Sequence, residues 1–176
     1  MINSGSTTVG STTVGCSYFG NRIERHYRTD LAQLKADGFN AILHTFSEND
    51  LYFYKETMQE FVEIAHEQGF QTLLNPWGVG GIFGGEAFSW FVEKFPEECQ
   101  ILENGQRVPA ACFHSQRFQD FFQEWVDAAL ACGADAIFWD EPHWNIGLFG
   151  EPKHRLKACF FSHFQTAFHQ QFCKPL

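Results

Sequence analysis

The sequence predicts an α/β domain built on a parallel sheet, and three observations carry that prediction. First, a helical segment closes on a glycine and a short apolar run follows, three times over: Gly38-Phe39-Asn40-Ala41-Ile42-Leu43, Gly69-Phe70-Gln71-Thr72-Leu73-Leu74 and Gly133-Ala134-Asp135-Ala136-Ile137-Phe138. Second, the segments between these runs carry apolar residues at helical spacing. Third, each run gives way to groups that can do chemistry: His44 and Glu48 after the first, Asn75 and Trp77 after the second, Asp140, Glu141 and His143 after the third. Helix, glycine, buried strand and polar cluster is how a parallel α/β protein presents a site at the carboxyl ends of its strands.

The elements follow in order. Residues 1–13 read as a disordered leader containing the direct repeat Ser6-Thr7-Thr8-Val9-Gly10 and Ser11-Thr12-Thr13-Val14-Gly15, whose second copy runs into a first strand at Val14–Phe19. Thr29-Asp30 can cap a helix that runs to Asp37 and stops at Gly38. The second strand is Ala41–Phe46. Met58, Phe61, Val62 and Ala65 form one apolar stripe on the next helix, which ends before Gly69. The third strand is Thr72–Trp77.

A long interruption follows. Gly78–Gly85 is glycine-rich, a short helix is expected around Ala87–Phe95, and Glu103-Asn104-Gly105-Gln106 has the Asn-Gly centre of a tight hairpin. A loop of this length inside a compact domain is usually functional. Ser115 can cap a helix whose stripe is Phe118, Phe121, Phe122, Trp125, Val126 and Ala129, ending at Gly133. The fourth strand is Ala136–Asp140. A last helix is expected over Arg155–Phe172, with Phe160, Phe164, Ala167 and Phe168 on one side.

Four βα units are half of a (β/α)8 barrel, so residues 14–176 read as a single (β/α)4 domain. The alternatives are a small open sheet of four strands or the front half of a barrel of TIM type. A half barrel leaves two unpaired edge strands, so it calls for a homodimer that completes the barrel or for a C-terminal half beyond Leu176.

Composition narrows the function classes. A chain of 176 residues with 44% hydrophobic and 19% charged content is globular. A net charge of -9 and the lack of a basic stripe argue against nucleic acid as a partner. No apolar run reaches the length of a membrane span, and the N-terminus has no basic region followed by an apolar stretch. A cytoplasmic location without membrane partners is the expectation. The six cysteines show no paired metal-ligand spacing and read as small buried hydrophobes. Gly78–Gly85 lacks the Gly-Lys-Ser/Thr ending of a phosphate loop. No cofactor is expected.

The third polar cluster, Trp139-Asp140-Glu141-Pro142-His143-Trp144, holds two adjacent carboxylates between tryptophans. Along a strand, Glu141 alternates with Ile137 and Trp139, and Asp140 with Phe138, so the two carboxylates point to opposite sides. Tryptophan faces suit the C–H faces of sugar rings, and Trp77, Trp139 and Trp144 are candidates for such stacking. Asn75 could orient a hydroxyl. His44, Asp140, Glu141 and His143 also suggest a divalent-metal hydrolase, although no His-x-His or His-x-x-x-His spacing occurs among them. The remaining histidines read as surface or interface residues.

Asp140-Glu141-Pro142 at the end of a fourth strand resembles the (β/α)8-barrel glycoside hydrolase superfamily, whose large retaining clan carries Asn-Glu-Pro there. The resemblance implies Glu141 as general acid/base, with Asp140 standing where the family's asparagine holds a sugar hydroxyl. It covers residues 14–172 as topology, and in sequence only the tripeptide and its tryptophans. Two carboxylates are needed, roughly 5 Å apart for retention and further for inversion. The family's nucleophile comes from a seventh strand, so within this chain only Glu48 and Glu86 could substitute. The expected function is hydrolysis or binding of a carbohydrate, with Asp140 and Glu141 catalytic. His44, Glu48, Asn75, Trp77, Trp139, His143 and Trp144 would bind the substrate. The rivals are a metal-dependent hydrolase on the same scaffold and a carbohydrate-binding module without catalysis.

Overall fold

A computed structural model of the chain describes residues 12–19, 21–140 and 158–172. The expected leader, residues 1–13, falls largely outside these residues; Thr12 and Thr13 lie inside them, and Thr12 and Val14 are held by one side chain. The Asn40 side chain clamps both: Nδ2 donates to the Thr12 carbonyl and Oδ1 accepts from the Val14 N–H.

Strands β1 (Gly15–Tyr18), β2 (Ala41–Thr45), β3 (Gln71–Asn75) and β6 (Ala136–Ile137) form one parallel sheet in that sequential order. The register aligns Ser17 with Leu43, Leu43 with Leu73 and Leu73 with Ala136. Helices α1 (Glu24–Ala36) and α3 (Lys55–Glu67) connect the first three strands. Their Tyr27 and Phe61 rings stack 4.2 Å apart against His44 on the covered sheet face. The expected stripe of Met58, Phe61, Val62 and Ala65 is fully buried. On the opposite face Gly15, Ser17, Leu43, Leu73 and Phe138 line an open hollow of about 280 Å³. The molecule is therefore α/β with a four-stranded parallel sheet, and no residue of a described helix lines this hollow.

Several boundaries differ from the sequence reading. Helix α1 starts at Glu24, not at Thr29, and the Thr29 hydroxyl donates back to the Arg25 carbonyl inside the helix. Thr and Asp compete with backbone groups, which makes them ambiguous between cap and interior. A separate helix α2 (Glu48–Phe53) follows β2. Its start is a capping box: Ser47 Oγ accepts from the Asp50 N–H, and the Asp50 carboxylate accepts from the Ser47 N–H. Strand β6 covers two residues of the five expected. Residues 158–161 are not helical: the Phe160 N–H donates to the Ile101 carbonyl, and Ala158 bridges Leu102. Helix α6 (Ser162–Phe172) begins only after them.

The long interruption contains α4 (Trp90–Lys94) and an antiparallel pair, β4 (Cys99–Ile101) with β5 (Arg107–Ala111). The pair turns through Asn104-Gly105, as the sequence suggests, with Gly105 at φ +83°. Helix α5 (Gln116–Ala131) is capped by Ser115, whose hydroxyl accepts from the Phe118 N–H. Its aromatic face closes the second half of the core. Trp125 is fully buried and donates from Nε1 to the Phe46 carbonyl. Phe118, Phe122 and Trp125 stack in sequence along the helix, at 5.7 and 5.8 Å.

Candidate functional site

The carboxyl ends of β1, β2 and β3 open into a cleft of about 670 Å³ lined by Phe19, Asn21, Arg22, Ile23, Thr45, Ser47, Asp50, Tyr54 and Trp77. Phe19, Asn21, Arg22, Ser47 and Trp77 lie just beyond the strand ends, where a parallel sheet places its ligands. One wall is aromatic: the Phe19 and Trp77 rings lie 5.1 Å apart, and Phe19 is half exposed. Another part of the lining is ionic. Arg22 donates through Nε and Nη2 to Oδ1 of Asp50, through Nη2 to the Thr45 carbonyl, and through Nη1 to the Asn21 carbonyl. Asp50 thus serves the helix cap and the ion pair at once.

The glycine-rich loop packs closely on Trp77 and Phe118. Gly85 has φ +121°, and a Cβ there would run into the Trp77 indole. Gly80 has φ +63°, and a Cβ would lie 2.5 Å from the Phe118 ring. Only glycine gives the left-handed backbone and the close approach together.

Glu48 anchors this loop. Its side chain is almost fully buried, and its Oε1 accepts from the Gly80 N–H at 2.8 Å and the Ser89 hydroxyl at 2.6 Å. Its Oε2 accepts from the Phe91 N–H at 2.8 Å. The fold therefore gives Glu48 a stitching task between the start of α2 and the loop, and it does not line the cleft. His44 is likewise removed from solvent. Nε2 shares a 2.7 Å hydrogen bond with the Tyr27 hydroxyl, and burial, reinforced by the Arg22 charge, pulls its pKa down to about 3. Burial pushes the Tyr27 hydroxyl well up. Both groups are neutral in the folded protein at ordinary pH, so His44 belongs to the core between α1 and α3.

Asn75 and Asp140 are brought together: Asn75 Nδ2 donates to Asp140 Oδ2 at 3.4 Å, and the Gly84 N–H donates to the Asp140 carbonyl. Asn75 Oδ1 is buried and has no hydrogen-bond partner among the described residues. Trp139 is about half exposed and packs its ring on Phe83, Phe122 and Trp125, on the α5 side. Glu86 is exposed in the loop. Glu141, His143 and Trp144 lie outside the described residues. Among the described residues no three His, Cys, Asp or Glu side chains converge into a metal-binding group. No described helix is long and apolar enough to cross a membrane.

The sequence reading found Trp77 but missed Phe19, Arg22, Ser47, Asp50 and Tyr54. Ser47-Glu48-Asn49-Asp50 carries the Ser-x-x-Asp form of a capping box, a signal that would have marked α2 and the cleft's second wall. Arg22 had no comparable signal, since its partner is 28 residues away. No protein-family model and no curated protein matches the chain.

Proposed function

We propose that the chain binds a carbohydrate at the carboxyl ends of its parallel strands, and that it hydrolyses a glycoside once a (β/α)8 barrel of TIM type is completed. The observation that carries the reading is the cleft itself. An aromatic part formed by Phe19 and Trp77 and a hydrogen-bonding part formed by Arg22, Ser47 and Asp50 line one open trough. Sugars present apolar C–H faces and a belt of hydroxyls, and this pairing suits both. The sequential parallel strands and the open inner hollow support the barrel, whose remaining strands come from a second copy or from further chain.

In this reading Glu141 is the general acid/base, the role its resemblance to the Asn-Glu-Pro motif implies, and Asn75 holds its sequence neighbour Asp140. The buried, unpartnered Oδ1 of Asn75 supports a polar group arriving next to Asp140, since buried acceptors are normally satisfied. A second reading, binding without catalysis, is favoured by one observation: Glu48 is fully engaged by the loop, which leaves Glu86 as the second carboxylate the sequence offered.

The test uses the purified chain with a panel of neutral oligosaccharides, read by tryptophan fluorescence, and with aryl glycosides for turnover. Trp77→Ala is expected to weaken sugar binding about two- to thirteenfold, the loss of one stacking contact worth roughly 0.5–1.5 kcal/mol. Turnover abolished by Glu141→Gln with binding intact supports the glycosidase. Binding without turnover, indifferent to Glu141→Gln, supports the binding module. No binding to any member of the panel overturns both.

A further inference from the structure

Two buried thiols outside the cleft are in contact. Cys112 follows β5 and Cys159 precedes α6, and their Sγ atoms lie 3.8 Å apart although the residues are 47 positions apart in the chain. Both are free, and both are at most 1% exposed. With Phe161 they form a small cluster separate from the main core. The Phe161 N–H donates to the Cys159 sulfur at 3.4 Å, and Arg107 stands over the Phe161 ring. A buried cysteine pair could be simple packing. Against that, the sulfurs face each other where residues 158–161 meet the hairpin, beside the Phe160–Ile101 hydrogen bond and the Ala158–Leu102 bridge.

We propose that Cys112 and Cys159 are a modification site: a hydroperoxide converts them to a disulfide that staples the C-terminal segment to the β4–β5 hairpin. This goes beyond the carbohydrate reading and does not depend on it. The order of the two steps follows from the hydrogen bonding. The two sulfurs share a hydrogen bond at 3.8 Å, and with the shared proton held on Cys112 it favours the thiolate at Cys159, lowering the pKa of Cys159 and raising that of Cys112. Burial opposes the first effect and adds to the second, while the Phe161 N–H and the Arg107 charge assist at Cys159. Cys159 is therefore the thiolate that attacks the peroxide. Its sulfur bonds to one peroxide oxygen, the O–O bond breaks, and the other oxygen leaves with a proton as water or alcohol. Cys112 then attacks the Cys159 sulfenic acid: the S–S bond forms, the S–O bond breaks and water leaves. Two thiols lose two electrons, and the peroxide gains them.

The small cluster can open locally to admit a peroxide without unfolding the main core. The sulfurs must then approach from 3.8 Å to about 2.05 Å. The closed loop contains α5, β6 and Asp140, so the staple fixes both ends of the segment that carries the third polar cluster.

The experiment treats the folded, reduced chain with hydrogen peroxide in native buffer, blocks remaining thiols with N-ethylmaleimide, then denatures and digests it. The expected result is a Cys112–Cys159 cross-linked peptide. Loop-closure entropy for a loop of this length also predicts a Tm higher by roughly 8–16 °C, reversed by dithiothreitol. Cys112→Ser and Cys159→Ser should each abolish the rise, and the wild-type peptide map stands even if these variants fold poorly. Both thiols still alkylated, a different pairing, sulfinic acid at Cys159 without a cross-link, or a cross-link that leaves Tm unchanged would each overturn the proposal.

Discussion

Replacing Glu48 tests whether the carboxylate is a structural anchor or a ligand group. The side chain is 1% exposed and accepts three hydrogen bonds, from the Gly80 N–H, the Ser89 hydroxyl and the Phe91 N–H. Glu48→Ala leaves two backbone N–H groups buried without an acceptor, at about 1–3 kcal/mol each. The Ser89 hydroxyl can turn elsewhere, so we expect a loss of about 3–5 kcal/mol after partial relaxation. For a chain of this size that lowers Tm by roughly 6–20 °C. Glu48→Gln separates charge from shape. Its carbonyl oxygen can still serve Gly80 and Ser89, but its amide nitrogen then faces the Phe91 N–H, donor against donor. A loss of about 2–3 kcal/mol is expected. Urea denaturation followed by circular dichroism measures both, with the slope m checked for constancy. A Glu48→Gln variant as stable as wild type within about 0.5 kcal/mol would refute the anchor. Weakened sugar binding at unchanged stability would return Glu48 to the cleft.

Two further predictions concern the same end of the sheet. His44 is held neutral well below the usual histidine range, so the unfolded chain binds a proton that the folded chain does not. Its contribution is complete above pH 6.5 and is lost as pH falls toward 3, at about 1.4 kcal/mol per unit at most. His44→Phe should flatten that slope in chemical denaturation between pH 6.5 and 4, and an unchanged slope would show that other groups set it. Arg22→Ala should cost about 3 kcal/mol, because Asp50 is 7% exposed and loses its cation. Arg22→Met combined with Asp50→Asn should recover at least ~1 kcal/mol of this. No recovery would mean that Arg22 acts through packing.

How much of the molecule was legible can be argued element by element. The stripes Met58-Phe61-Val62-Ala65 and Phe118-Phe122-Trp125-Ala129 name the buried faces of α3 and α5, because helical periodicity is a local property. The parallel sheet followed from the three glycine-to-strand repeats, and the hairpin from Asn104-Gly105. The boundaries of α1 and β6 were not legible. Thr29 has the chemistry of a cap and the position of a helix interior, and the strand ends where its neighbour's ladder ends.

The candidate site divides along the same line. That polar groups follow the strand ends is a consequence of period and connectivity, and the sequence alone placed Trp77 and Asn75 there. Which side chains face the cleft was decided only by tertiary structure. His44, Glu48 and Asp50 look alike in the sequence as polar groups after an apolar run. Their partners are Tyr27, the Gly80–Phe91 loop and Arg22, all distant along the chain. A buried polar group takes its role from whatever satisfies it, and the fold supplied those partners: it put His44 in the core, made Glu48 the loop's anchor, and left Arg22 and Asp50 to line the cleft.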